Sequence, residues 1–207
     1  KREMWVALRL KDRRVSSVPE PLYVGLASIS LENREDMGSI YEWVSFNMRE
    51  LTYRVHFTIK SIPDPFPMDE EFVTRIEDDN GVYDFNGQIA LCERFEYVAE
   101  ATRDTEGVLK ADFTLMKLEE GRNTLVSLVN KTTGEILYTA NLVDDIIMFR
   151  SDSGEPPYSL ECDHDFPITL KLKYEKSTWT LVQATVLDWN VVSRPVELGA
   201  DIISGQI

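Results

Sequence analysis

An unbroken two-residue alternation constrains this chain more than any other feature. In Tyr53-Arg54-Val55-His56-Phe57-Thr58-Ile59-Lys60 the odd positions are apolar and the even ones polar. Successive side chains of a strand point to opposite faces. The run therefore predicts a strand with one buried and one wet face, as in antiparallel sheets. The pattern returns in Ile168-Thr169-Leu170-Lys171-Leu172-Lys173-Tyr174. Outward lysines on both runs suit a surface that must resist aggregation.

Shorter runs at residues 5–10, 22–29, 72–77, 110–118, 124–129, 136–140 and 178–186 also read as strands. Turn residues separate them. Asp79-Asn80-Gly81 predicts a tight hairpin joining residues 72–77 to Val82-Tyr83, with the Asn-Gly pair supplying positive φ. Asn130-Lys131-Thr132-Thr133-Gly134 predicts a second turn with Gly134 left-handed, and Glu119-Glu120-Gly121-Arg122-Asn123 a third. Residues 110–140 thus read as a three-stranded meander. Asn141 suits the cap of a short helix over residues 142–149, with Asp144 and Asp145 in its first turn. Leu142, Val143, Ile146 and Ile147 would lie on its sheet-facing side. Residues 61–68, carrying Pro63, Pro65 and Pro67, and residues 153–157 read as linkers. With no parallel crossover unit in sight, the fold class is all-β: an antiparallel β-sandwich with one short helix.

Composition bounds the partners. Of 207 residues, 43% are hydrophobic, enough for a packed core. Lys and Arg total 22 against 36 Asp and Glu, a net charge of −14. That repels phosphate backbones and anionic lipid, so nucleic acid is excluded as a partner class. No run of 18 or more apolar residues occurs, so no helical membrane span is read. Cys92 and Cys162 are too few for a disulfide framework, although they could pair in an oxidising compartment.

The residues that might carry chemistry have simpler readings. His56 sits on the wet face of a regular strand. In Glu161-Cys162-Asp163-His164-Asp165 at most Cys162 and His164 would converge, so an acidic loop leading into a strand is preferred to a metal site. Asp78-Asp79-Asn80-Gly81 lacks the spacing of a calcium loop. Asp69-Glu70-Glu71 and Asp144-Asp145 would need to face each other across a cleft to hydrolyse a glycoside. Asn130-Lys131-Thr132 fits a glycosylation sequon, yet the turn already explains it. Trp43, Trp179 and Trp189 could form a sugar platform, but core positions are preferred. No catalytic, cofactor-binding or metal residue is assigned, and the chain is read as a non-enzyme.

Several segments, taken in order, resemble a known family. They are Phe72-Val73-Thr74-Arg75-Ile76-Glu77-Asp78-Asp79-Asn80-Gly81-Val82-Tyr83-Asp84-Phe85-Asn86, then Ala111-Asp112-Phe113-Thr114 with Leu118. Residues 125–130, Thr133-Gly134-Glu135-Ile136-Leu137 and Leu142-Val143 follow. Phe166-Pro167-Ile168-Thr169-Leu170, Thr178-Trp179 and Asp188-Trp189-Asn190-Val191-Val192 close the series. This order, spanning residues 21–198, is similar to that of the fimbrillin-associated anchor proteins of Bacteroidales-type (type V) fimbriae, the FimB-like minor subunits.

The resemblance implies transthyretin-like β-sandwich domains and a lipoprotein at the cell surface, on the extracellular side of the outer membrane. It implies a role in pilus assembly and cell adhesion, anchoring a fimbria and limiting its length. Residues 1–40 would be the C-terminal remnant of a preceding β domain, and residues 41–207 the second sandwich. The lipid-bearing cysteine of the family lies on a part without counterpart here. Asp79, Asn80, Gly81, Tyr83 and Asp84 carry the family's structural turn motif. The partners implied are other fimbrial subunits, joined by strand addition in which residues 196–207, or the groove they leave, take part. The alternative is an exported carbohydrate-binding sandwich with a glycan as ligand.

Overall fold

The computed structural model describes residues 5–28, 43–90, 92–148, 159–175, 178–186 and 189–192. In chain order the strands are β1 (Trp5–Ala7), β2 (Leu10–Lys11), β3 (Arg14–Val15), β4 (Tyr23–Val24), β5 (Arg49–Glu50), β6 (Thr52–Ile62), β7 (Phe72–Asp78), β8 (Val82–Asp84) and β9 (Ile89–Ala90). They continue with β10 (Phe95–Glu100), β11 (Thr102–Arg103), β12 (Leu109–Met116), β13 (Leu125–Asn130), β14 (Ile136–Asn141), β15 (Asp165–Glu175), β16 (Thr178–Val186) and β17 (Trp189–Val192).

Two six-stranded sheets dominate. One has the order β14-β13-β7-β10-β3-β2 and the other β11-β12-β6-β15-β16-β17. Their inner faces share one hydrophobic core, so the all-β sandwich expected from the alternation is what forms. Val55, Phe57 and Ile59 of β6 are buried, while Arg54, His56 and Thr58 between them are only partly covered. On β15 the buried face is Phe166, Ile168, Leu170 and Leu172. Tyr174 continues that face past the core and is exposed.

Most pairings are antiparallel. Two are not: β15 runs parallel to β6 from Asp165↔Arg54 to Lys173↔Ile62, and β10 pairs β3 parallel at Glu96↔Arg14. A parallel pair needs a long connection, and short-range turn signals cannot announce it. β6 and β15 are therefore central strands, and their outward lysines cover a sheet face rather than an edge.

The expected meander does not form. β12 pairs β6 and β11, whereas β13 pairs β7 and β14 in the opposite sheet. The loop after β12 crosses between layers, because each strand needs a different partner to bury its apolar face. The Asn130–Gly134 turn does join β13 to β14, with Gly134 at φ +76°. Nor does the hairpin at Asn80-Gly81 form. β7 lies between β10 and β13, while β8 leaves to pair with β1 and β9. Strand β10, unforeseen in the sequence, occupies the place next to β7.

The short helix is one turn over Leu142–Ile147, closed by a wide-ring bond from Met148 N–H to the Val143 carbonyl. Asn141 caps it as expected, its side chain accepting from the N–H groups of Val143 and Asp144 at 3.0 Å each. Leu142, Val143, Ile146 and Ile147 are all buried. Phe149, residues 153–157 and Ile29 lie outside the described residues.

The proline-rich segment between β6 and β7 is more than a spacer. Phe66, 1% exposed, sits 5.1 Å from the rings of both Phe72 and Trp179. Arg103 fastens it, donating to the carbonyls of Phe66 (2.7 Å) and Glu70 (2.8 Å) and stacking over Phe72. Removing that ring would leave a cavity between Phe72 and Trp179. Phe66→Ala is expected to cost about 3–5 kcal/mol, read as a drop in the urea midpoint with the slope unchanged.

Candidate functional site

The turn motif faces inward. Asn80 is fully buried. Its amide donates to the carbonyls of Met116 (3.2 Å) and Lys117 (3.1 Å), and its oxygen accepts from the Tyr97 hydroxyl at 2.9 Å. One side chain thus ties the chain after β7 to the end of β12 in the other sheet. Asp79 pairs with Arg122. Asp78, 2% exposed, accepts from the Thr124 hydroxyl and the Asp79 N–H, both at 2.7 Å. Burial raises its pKa, and those two hydrogen bonds partly oppose the rise.

Gly81 owes its place to space rather than to φ. A Cβ there would lie 2.8 Å from the Phe95 ring. Tyr83 is buried in a smaller cluster with Leu51 and Met116. Asp84 organises the next turn, its carboxylate accepting from the N–H groups of Gln88 and Asn86 at 2.9 Å. Those bonds, the Gln88 one first, hold its pKa below the usual carboxylate range.

The groups weighed for chemistry are dispersed. His56 lies on the outer face, 2.7 Å from the Asp112 carboxylate and 3.5 Å from that of Asp165. His164 instead packs against the Tyr53 ring at 4.7 Å. Both cysteines are free thiols: Cys162 is exposed, and Cys92 donates to the Asp79 carbonyl. No cluster of three or more His, Cys, Asp or Glu placed to hold a metal occurs among the described residues. Asp144 accepts from Gly121 N–H and Asp145 from Asn141 N–H, both at 2.9 Å, so this pair serves the helical turn. Glu70 accepts from the Asn130 amide at 2.8 Å, and Glu71 pairs with Lys131 at 3.2 Å. Asn130 of the sequon is 3% exposed, its side chain committed to the turn.

The core expectation fails for Trp43, which is 99% exposed. Trp179 is partly buried, with its ring stacked on Phe66. The Trp189 side chain and residues 196–207 lie outside the described part.

What the surface offers is strand edge. Among the described residues the outer strands of the two large sheets are β14, β2, β11 and β17, and β14, with six residues, is the longest. Its sequence, Ile136-Leu137-Tyr138-Thr139-Ala140-Asn141, holds no charge and no proline, the usual guards of an edge. Ile136 is 62% exposed. Leu142 N–H bonds inward to the Thr124 carbonyl, whereas Asn141 N–H turns away to Asp145. By the alternation of an antiparallel ladder, Thr139 N–H also points to the open side.

Residues 6–195 match the family described as fimbrillin-A associated anchor proteins Mfa1 and Mfa2. Over 173 residues the chain is 30% identical to the minor fimbrium anchoring subunit Mfa2 of Porphyromonas gingivalis, covering 82% of this chain and 51% of that protein. It thus spans about half the length of that relative. The structure of the fimbrial anchor protein Mfa2 from Porphyromonas gingivalis superposes with a TM-score of 0.75 at 26% identity, over 90% of this chain and 65% of that one. A candidate polysaccharide-binding protein of Bacteroides thetaiotaomicron shares the fold, with a TM-score of 0.72 at 17% identity over 94% of this chain and 66% of that one.

Two outcomes follow from the buried polar cluster. Asn80→Ala strands two carbonyls and a phenol, and should cost on the order of 3 kcal/mol in urea unfolding. Asp78 has a folded pKa raised above its unfolded value near 3.8. Its contribution is therefore full below that value and is lost as pH rises through the raised folded pKa. Asp78→Asn should remove this loss. Its urea midpoint, relative to that of the parent, should rise as pH goes from near 3.8 through the raised folded pKa and then level off.

Proposed function

The chain belongs to the fimbrillin-A associated anchor proteins, and from that premise we propose that it is a structural component of a cell-surface fimbria. It acts as an anchoring or assembly subunit, through β-strand contacts with other fimbrial subunits and without catalysis. The unguarded outer strand β14 carries this reading. It presents backbone donors and acceptors in a row, and an added strand would satisfy them while its alternate side chains find pockets.

The division of the chain belongs to the same proposal. None of residues 5–28 is buried, whereas the core begins at Leu51. Residues 1–40 are accordingly taken as the C-terminal remnant of a preceding β domain, and residues 41–207 as the transthyretin-like sandwich itself. The motif of Asp79, Asn80, Gly81, Tyr83 and Asp84 has a structural role in this reading: it joins the sheets so that β14 is held on a rigid frame. Attachment to the outer membrane through a lipid, on sequence outside residues 1–207, completes the picture for the whole protein. The carbohydrate-binding alternative has less support. It asks for two exposed coplanar indoles, and of the tryptophans weighed for it only Trp43 is fully exposed among the described side chains.

Thr139→Pro removes one outward donor at an edge position where proline is tolerated. The variant should keep its urea midpoint but lose roughly ten-fold in co-purification with the shaft subunit, the size expected when a strand pairing loses one donor. Undiminished co-purification would exclude β14 as the route. Deleting the gene in the source bacterium should release fimbriae into the medium; fimbriae retained on the cells would overturn the anchoring role.

A further inference from the structure

The open edge of β14 does not run the whole length of the strand. We infer that Asp145 fixes where it stops: its carboxylate takes the last outward donor of β14, so a strand that adds to this edge pairs only as far as Thr139 and is held in one register. The added strand rests on the strand-addition reading above; the stop is a property of this chain alone.

The ladder between β13 and β14 gives the directions. Thr139 faces Ser127 and Asn141 faces Leu125. Leu142 N–H bonds inward to the Thr124 carbonyl, so Ala140 N–H also points inward and the N–H groups of Thr139 and Asn141 point outward. Those two are the donors that an added strand meets in succession. Thr139 N–H has no partner among the described residues. Asn141 N–H is already given to the Asp145 carboxylate at 2.9 Å. That carboxylate stands where a carbonyl of the incoming strand would have to stand.

Both partners of this bond are held in place. Asp145 belongs to the turn Leu142–Ile147, which follows β14 directly and is anchored by its buried Leu142, Val143, Ile146 and Ile147. The Asn141 amide donates to the Arg122 carbonyl (2.8 Å) and to Asp144 (3.2 Å), and its side-chain oxygen accepts from the N–H groups of Val143 and Asp144. Asn141 therefore cannot turn its N–H elsewhere without losing several bonds at once. An ionised carboxylate only accepts hydrogen bonds, so it opposes an incoming carbonyl instead of yielding to it. The consequence is specificity. Side chains of a strand repeat every second residue, so a partner slipped by two residues keeps the same faces inward. Toward Asn141 that slipped register meets the carboxylate and is rejected.

Amide hydrogen exchange, corrected for local sequence, tests the stop with and without the shaft subunit. In the free protein Thr139 should exchange quickly and Asn141 about ten-fold more slowly, the protection expected of one charge-assisted hydrogen bond. Asp145→Ala, at an exposed position, should bring Asn141 to the rate of Thr139. Asp145→Asn keeps an acceptor and should keep most of the protection. In the complex with the shaft subunit Thr139 should gain protection in the parent and in both variants. Asn141 should gain it only in Asp145→Ala, where pairing runs on past the stop. Equal rates for Thr139 and Asn141 in the free parent, or an Asn141 that stays unprotected in the Asp145→Ala complex while Thr139 is protected, would each overturn the proposal. A complex that leaves Thr139 unprotected would overturn strand addition at β14 itself, and the register role with it, while the bond between Asp145 and Asn141 would stand on the free-protein rates.

Discussion

Two eleven-residue strands, β6 and β15, lie side by side and parallel, with Arg54 beside Asp165, 111 residues further along the chain. The rest of the sandwich depends on that contact. Each strand alternates through its central residues, so side by side they turn a continuous apolar surface inward. The parallel sense obliges the chain to travel far between them. On that excursion it builds β7, β10, β13 and β14, four of the six strands of the opposite sheet, which supply most of the other half of the core. β12 and β16 then flank the pair as antiparallel neighbours. A protein of this kind gains rigidity from closing long loops, at a cost in folding speed.

The two sheets are fastened at their ends by different means. Near the start of β8 the fastening is polar: Asn80 reaches from the end of β7 to the end of β12, and Tyr97 completes its bonds. At the other end it is aromatic and cationic: Phe66 is packed between Phe72 and Trp179 while Arg103 grips the loop backbone. Buried polar groups with every bond satisfied fix geometry more sharply than apolar contact, because each alternative pairing strands a donor or an acceptor. Both fastenings act on the frame that carries β14, and a strand edge recognises its partner only as well as its register is held.

What could be read in the sequence was local. The faces of β6 and β15, the Asn141 cap and the Gly134 turn depend on spacing within a few residues, and each formed where the spacing placed it. What could not be read was partnership. Alternation tells which face of β12 and β13 is buried but not which strand lies alongside, so a meander seemed the economical answer when the chain in fact changes sheets. Asn80-Gly81 has the composition of a hairpin. Its real determinants, two carbonyls of β12 and its following loop and the ring of Phe95, are distant in sequence. β10 escaped notice although Phe95, Tyr97 and Ala99 alternate, and the linker prolines concealed that Phe66 is a core residue. Of the candidate surface, the missing charges of β14 were legible all along; that β14 is an outer strand was not, since edge position is a property of the whole sheet.

A long uncharged edge is ordinarily a hazard, because any copy of the same chain can pair with it. Here the surroundings of the edge oppose that outcome. Two copies meeting at β14 would bring together two bodies that each carry a net charge of −14. Repulsion of this sort discriminates against self-pairing without weakening the edge toward a basic strand, so specificity arises from what is rejected as well as from what is bound. The same acidic balance that excluded nucleic acid at the level of composition thus acquires a structural meaning. It leaves the backbone of β14 open to a partner and assigns the choice of partner to the charges around it.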